Sequence, residues 1–189
     1  MHKEQDNRIF IYQIDSNDKI VIVNDNWLSF AAENVYNLSQ ESVVNKLLWD
    51  FIEDTETQHL YKILLEKVRT NQVKLKVPFR CDSPDCRRFM ELEVFSPHEN
   101  FVEFRCRAVK LEFRTAVGLL DVNSDRSNEF VRMCGWCKKI YVSAQWLEIE
   151  EAITELNLFA AAKLPQLTHG ICLSCKETII QLLDTDSTF

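Results

Sequence analysis

Glycine is scarce in this chain, at three residues in 189. Long apolar runs are missing as well. The longest, such as "TAVGLL" and "FAAA", fall far short of a membrane span, so no membrane association is expected. The N-terminus "MHKEQDNRIF" is polar and lacks the apolar core of a signal peptide. Basic residues are outnumbered, 22 Lys and Arg against 29 Asp and Glu, for a formal net charge of −7. That balance argues against non-specific binding to nucleic acid or anionic membranes. Internal repeats and low-complexity tracts are lacking too. The expectation is a cytoplasmic protein, and 46% hydrophobic residues make it globular.

Cysteine is abundant. There are seven, an odd number without an export signal, so a disulfide framework is not expected. Cys81, Cys86 and Cys106 are scattered. Cys134, Cys137, Cys172 and Cys175 form two C-x-x-C pairs separated by 34 residues. Such a pair lets two thiolates converge on one tetrahedral ion, and two pairs complete the shell. Two of the three glycines stand inside these motifs, Gly135 in "CGWC" and Gly170 in "HGIC". Tight turns around a metal can use glycine's freedom at positive φ.

Along the chain, "RIFIYQID" and "IVIV" read as strands around the turn "DSNDK". Asn24 or Asp25 can cap a short helix, "NWLSFAAEN". Asp54 or Thr55 can cap a longer one, in which Leu60, Ile63, Leu64 and Val68 fall at helical spacing and Asn71 ends the run. Three strands follow, "VKLKVPFRCD", "RRFMELEVF" and "FVEFRCRAVKLEF", the first two joined through Pro84. The order is that of an α+β domain with an antiparallel sheet. Near residue 122, "DVNSDRSN" reads as a linker that caps a short helix, "NEFVRMC". An extended piece "KKIYV", an amphipathic helix from about Trp146 to Leu156 and a terminal helix "CKETIIQLL" complete the pattern. Trp146, Ile149, Ile153 and Leu156 form that helix's packing face, and Glu148 to Glu151 its solvated first turn.

Over residues 8–114 the chain resembles a PAS domain. Asp15, Ile20 to Val23, Asn24 and Trp27 in "IYQIDSNDKIVIVNDNWLSFAAEN" carry the resemblance, with the helix and closing strands after them. Asp18 stands where many PAS sequences have glycine, and "CDSPDC" replaces the common Asp-Gly hairpin. The last part, "MCGWCKKIYVSAQWLEIEEAI" and "LPQLTHGICLSC", is similar to a tail found after PAS domains in some bacterial signalling proteins. The resemblance implies a five-stranded antiparallel PAS-like sheet with flanking helices. It also implies a sensory or protein-interaction role in signal transduction, with a homodimer or a signalling protein as partner. The expected division is a PAS-like domain at 8–114, a linker with a short helix at 115–130, and a small treble-clef-like zinc module at 131–189.

The leading expectation is a structural Zn²⁺ on Cys134, Cys137, Cys172 and Cys175, the second pair opening the terminal helix where its amides favour thiolate. His169 remains open: it either replaces a cysteine in a Cys₃His site or bonds a carbonyl or ligand sulfur and steers the turn. The alternative function is a sensor of haem, a small molecule or redox state. His59 would then ligate b-type haem, as a histidine on the corresponding helix does in some haem-binding PAS domains, or Cys81 and Cys86 would form a reversible disulfide. Trp27, Phe30, Trp49, Phe51 and Tyr61 read as core rather than as a ligand cavity. "CGWCK" ends in Lys138 and "HGICLSC" has its histidine on the wrong side, so c-type haem attachment is excluded. Arg87, Arg88, Lys138 and Lys139 make no basic stripe for nucleic acid. A Cys–His nucleophile has no recognisable orienting partner. No kinase, cyclase or phosphatase motif follows, so no enzymatic activity is expected and the output falls to a partner.

Overall fold

A computed structural model describes residues 6–34, 37–52 and 54–184; the last five residues of the expected zinc module lie outside the described residues. Strands β1 (Ile9–Ile14) and β2 (Ile20–Val23) form a hairpin, followed by helices α1 (Asp25–Glu33), α2 (Gln40–Val43) and α3 (Thr55–Asn71). Strands β3 (Leu75–Arg80), β4 (Cys86–Phe95) and β5 (Val102–Phe113) complete an antiparallel sheet of order β2-β1-β5-β4-β3. This is the arrangement the PAS resemblance implies. Its local devices follow from sequence. Asn24 caps α1 by accepting from the Trp27 N–H at 3.0 Å, and Asp54 caps α3 by accepting from Thr57 at 2.7 Å. Asp18 adopts φ 60°, a left-handed conformation that glycine takes without cost, and its carboxylate holds Trp49 Nε1 at 3.0 Å and Arg69 at 2.9 Å. The left-handed residue that closes α3 is Gln72 rather than Asn71.

From Met90 to Val94 on β4 and from Val102 to Ala108 on β5, on one side of a bulge in their pairing, even-numbered residues face one way. Leu92, Val94, Val102 and Phe104 meet Leu60, Leu64 and Val68 of α3 in the main core. The other face is charged, with Glu91 bound to Arg107 and Glu93 to Lys74 and Lys76.

Residues 126–134 depart from expectation. They form strand β6 (Arg126–Cys134), not a helix. The polar stretch before it is a turn in which Asp121 accepts from the Asn123 N–H at 2.9 Å. A tertiary partner overrides the helical capping signal. Strand β9 (Leu164–Gly170) lies parallel to β6, and Met133 reaches a second, smaller core. Between them run β7 (Ile140–Val142), β8 (Gln145–Leu147) and α4 (Ile149–Glu155), giving a four-stranded sheet of order β8-β7-β6-β9. Helix α4 therefore starts three residues later than the periodicity suggests. Ile149 and Ile153 are buried as expected, but Trp146 belongs to β8 and packs against Tyr141. Helix α5 (Leu173–Asp184) closes the described chain.

The acidic first turn of α4 is only partly a solvated face: Glu151 is exposed, but Glu148 and Glu150 are half-buried and paired. Glu148 accepts from Arg80 at 2.7 Å, and Glu150 accepts from Arg87 at 2.5 Å and Arg114 at 2.9 Å. Asp82, almost fully buried, binds both Arg80 and Arg114. These ion pairs join the β3–β4 hairpin to α4. Burial works to raise the pKa of Glu150, but hydrogen bonds from its backbone, Arg87 and Arg114 outweigh it and hold the carboxyl below its ordinary 4.5. A lowered folded pKa gives stability that is complete above the ordinary glutamate range and is lost as pH falls through the lowered value. Glu150 is over a third exposed, so Glu150→Gln is expected to cost about 1 kcal/mol or less in urea unfolding at pH 7. The cost should vanish in acid; an equal cost at both pH values would refute the pairing.

Candidate metal centre

Parallel pairing of β6 with β9 sets Cys134 opposite Gly170, so both strands end at the same place. Each then delivers a cysteine pair. After Cys134 the chain makes a tight turn. The Lys138 N–H donates to Cys134 O at 3.0 Å, and the Cys134 N–H donates to Lys139 O at 2.8 Å. After Gly170 the chain enters α5, and Cys172 and Cys175 occupy its start. The Gly135 N–H donates to Gly170 O at 2.8 Å and ties the two turns together.

The four Sγ atoms lie within 4.8 Å of one another. Cys137 Sγ and Cys172 Sγ are 3.7 Å apart. Sulfurs about 2.3 Å from a tetrahedral zinc stand about 3.8 Å apart, so this donor set fits a four-thiolate ion and needs only a small contraction elsewhere. Backbone amides prepare it for negative charge. Cys134 Sγ accepts from the Cys137 and Cys172 N–H groups at 3.5 and 3.4 Å, and Cys172 Sγ from the Cys175 N–H at 3.4 Å. The Cys137 and Cys175 thiols, then these amides, hold the Cys134 thiol far below its ordinary value. Hydrogen bonding to Cys134 and Cys137 pushes Cys175 up, and hydrogen bonding to Cys134 pushes Cys137 up to about 12. One thiolate therefore forms most readily at Cys134. Cys134 and Cys172 are buried, Cys137 and Cys175 partly so.

The glycines act differently from expectation. Neither has positive φ; the left-handed residue of the first turn is Lys138, at φ 62°. A Cβ on Gly135 would meet only ordinary contacts. One on Gly170 would lie 2.3 Å from Arg132 Nε, so this glycine makes room for the Arg132 side chain on the neighbouring strand.

The other sequence candidates are not among the four converging sulfurs. His169 is exposed on β9, opposite Met133, and does not belong to the four-cysteine group. His59 is exposed on α3, while Leu60 and Leu64 beside it face the core. Cys81 faces Arg88 across the hairpin and Cys86 faces Ser83, so these two thiols are not cross-strand partners. Burial pushes the Cys81 thiol up and pushes Cys106 up to about 12, which disfavours the thiolate at both. Lys138 Nζ donates to Gly135 O at 2.6 Å, and Arg87 is used by Glu150, so the scattered basic residues are partly spent on internal bonds.

Trp136 was not apparent as a functional residue from sequence; its only signal was its place inside the first pair. Its indole N–H donates to Pro78 O at 2.8 Å, and its carbonyl accepts from the Arg80 N–H at 2.8 Å. Its ring meets Tyr61 and Phe79 edge to face. Cys134, Trp136, Cys172, Ile179 and Leu183 belong to the same core as the five-stranded sheet and α3.

Strand order β2-β1-β5-β4-β3, with the helices inserted between β2 and β3, defines a PAS-like fold, carrying a four-cysteine cluster behind it. Comparison with protein-family models gave no match, and comparison with curated proteins gave none. Among solved structures, a sensory box sensor histidine kinase from Vibrio cholerae matches at 13% identity and a TM-score of 0.45, over 57% of this chain and 86% of that one. The PAS domain of BvgS from Bordetella pertussis matches at 12% and 0.43, over 53% and 76%. The PAS domain of the quorum-sensing receptor RpfR from Cronobacter turicensis, in complex with C12:0, matches at 13% and 0.42, over 58% and 100%. The PAS-like description rests on the strand order. Among the described residues, no helix is long and apolar enough to cross a membrane.

Proposed function

We propose that this chain is a non-enzymatic PAS-type sensory or protein-interaction module in signal transduction, with a structural zinc ion bound by Cys134, Cys137, Cys172 and Cys175. The observation that carries the metal reading is the convergence of four Sγ atoms within 4.8 Å. A soft, four-sulfur tetrahedral donor set selects zinc or an iron–sulfur centre, and a closed set with no fifth position suits a structural ion. The ion would neutralise thiolates packed beside an apolar core and fix the start of α5 to the end of β6. The PAS-like part would act by contact with a second copy or a signalling protein.

Metal analysis and an absorbance spectrum of the same untreated sample, purified without chelator, test this. The expected result is one zinc per chain and a colourless solution. Iron with visible absorbance would replace zinc by a cluster or haem, and a metal-free protein would remove the reading.

A further inference from the structure

We infer that Trp136 carries the state of the four-cysteine site into the PAS-like interior, so that metal binding acts on the open edge of the five-stranded sheet and on α3. This rests on the metal reading above and goes beyond a local staple for the C-terminal segment.

Among the described residues, strand β3 is the last strand of its sheet, so one of its edges has no strand partner. Such an edge leaves backbone groups unpaired, and Pro78 has no N–H to offer a neighbouring strand. Trp136 closes this edge with two bonds two residues apart. Its indole N–H reaches Pro78 O and its carbonyl takes the Arg80 N–H, each at 2.8 Å. The residue doing this sits between Cys134 and Cys137, the two cysteines of one turn. Two metal–sulfur bonds would fix that turn; without them it is held by weak N–H to sulfur bonds, the Lys138 Nζ bond to Gly135 O and the backbone bonds of the turn.

From Trp136 the contact continues inward. Tyr61 on α3 lies 6.0 Å from its ring, and Phe104 lies 6.1 Å beyond Tyr61. Phe104, fully buried on β5, stacks on Tyr12 at 4.4 Å and 8°. Four aromatic rings thus run from the cysteine turn to the middle strands of the sheet. The second pair has its own route, since Ile179 and Leu183 of α5 enter the same core. Only Trp136, however, bonds the sheet edge from between two cysteines.

Coupling of this kind is reciprocal. If the ion steadies Trp136 on β3, then Trp136 docked on β3 strengthens binding of the ion, although it is no ligand. Two measurements on the full chain test this. The first is amide hydrogen exchange with zinc bound and after zinc removal by chelator. Protection is expected to fall about tenfold or more at Arg80 and through the Tyr61 region of α3, as well as at residues 134–140 and 170–176. The second is zinc competition titration against a chromophoric chelator for Trp136→Phe, which keeps a ring but loses the indole N–H. Zinc affinity is expected to fall about fivefold or more, the lower end of ordinary coupling.

Exchange changes confined to the cysteine turns, or parent-like zinc affinity in Trp136→Phe, would overturn the inference while leaving the zinc site standing. A parent protein that binds no zinc would remove both. Should Trp136→Phe fail to fold, the exchange measurement on the parent decides alone.

Discussion

Cys134→Ser is expected to purify with much less than one zinc per chain and to melt well below the parent. The substitution removes one ligand. It also removes the sulfur that accepts from the Cys137 and Cys172 amides at the centre of the cluster. Zinc contributes about 10–16 kcal/mol of apparent binding free energy in small zinc peptides, comparable to the whole stability of a typical domain. Losing about 4 kcal/mol of it would lower Tm by about 8–16 °C, at about 2–4 °C per kcal/mol. Limited proteolysis should then cut after residue 122. It should not stop there, because Cys134, Cys172, Ile179 and Leu183 share a core with Leu64 and Val77. Cys81→Ser, outside the cluster, should keep its zinc. A Cys134→Ser protein with full zinc and parent-like resistance would refute the assignment.

The second large effect is expected at Trp136. Truncation to alanine opens a cavity against Tyr61 and Phe79 and strips the Pro78 carbonyl of its donor. Replacing a buried aromatic by alanine costs about 3–5 kcal/mol. Urea unfolding of Trp136→Ala should show a midpoint lowered to match, still as one transition. Two separated transitions would mean that the C-terminal segment unfolds independently of the PAS-like sheet. A cost below about 1 kcal/mol would mean that the ring is not packed as described.

The PAS-like half was largely legible because its signals are local. Alternation in β4 and β5, the helical spacing of Leu60, Leu64 and Val68, and the caps Asn24 and Asp54 all act within a few residues. The four cysteines were legible because C-x-x-C spacing encodes a turn around an ion. Residues 126–134 were misread because their strand depends on β9, thirty-odd residues later, and a parallel partner leaves no local mark. Glu148 and Glu150 were misread for the same reason. Helix-start charge and pairing with three arginines look identical until Arg80, Arg87 and Arg114 are placed.

The sequence by itself determined the element types of the first half, the four cysteines and the turns that carry two of them. Those depend on φ/ψ preference and short-range periodicity, which a linear chain carries in full. Only the tertiary structure decided that the two pairs meet through parallel strands, that His169 and His59 face outward, and that Gly170 yields space to Arg132 rather than adopting a special φ. It alone placed Trp136 on the free edge of β3, in a core that makes the cysteine segment and the PAS-like sheet one packed body. Such contacts arise from packing between residues far apart in sequence, which no local pattern records.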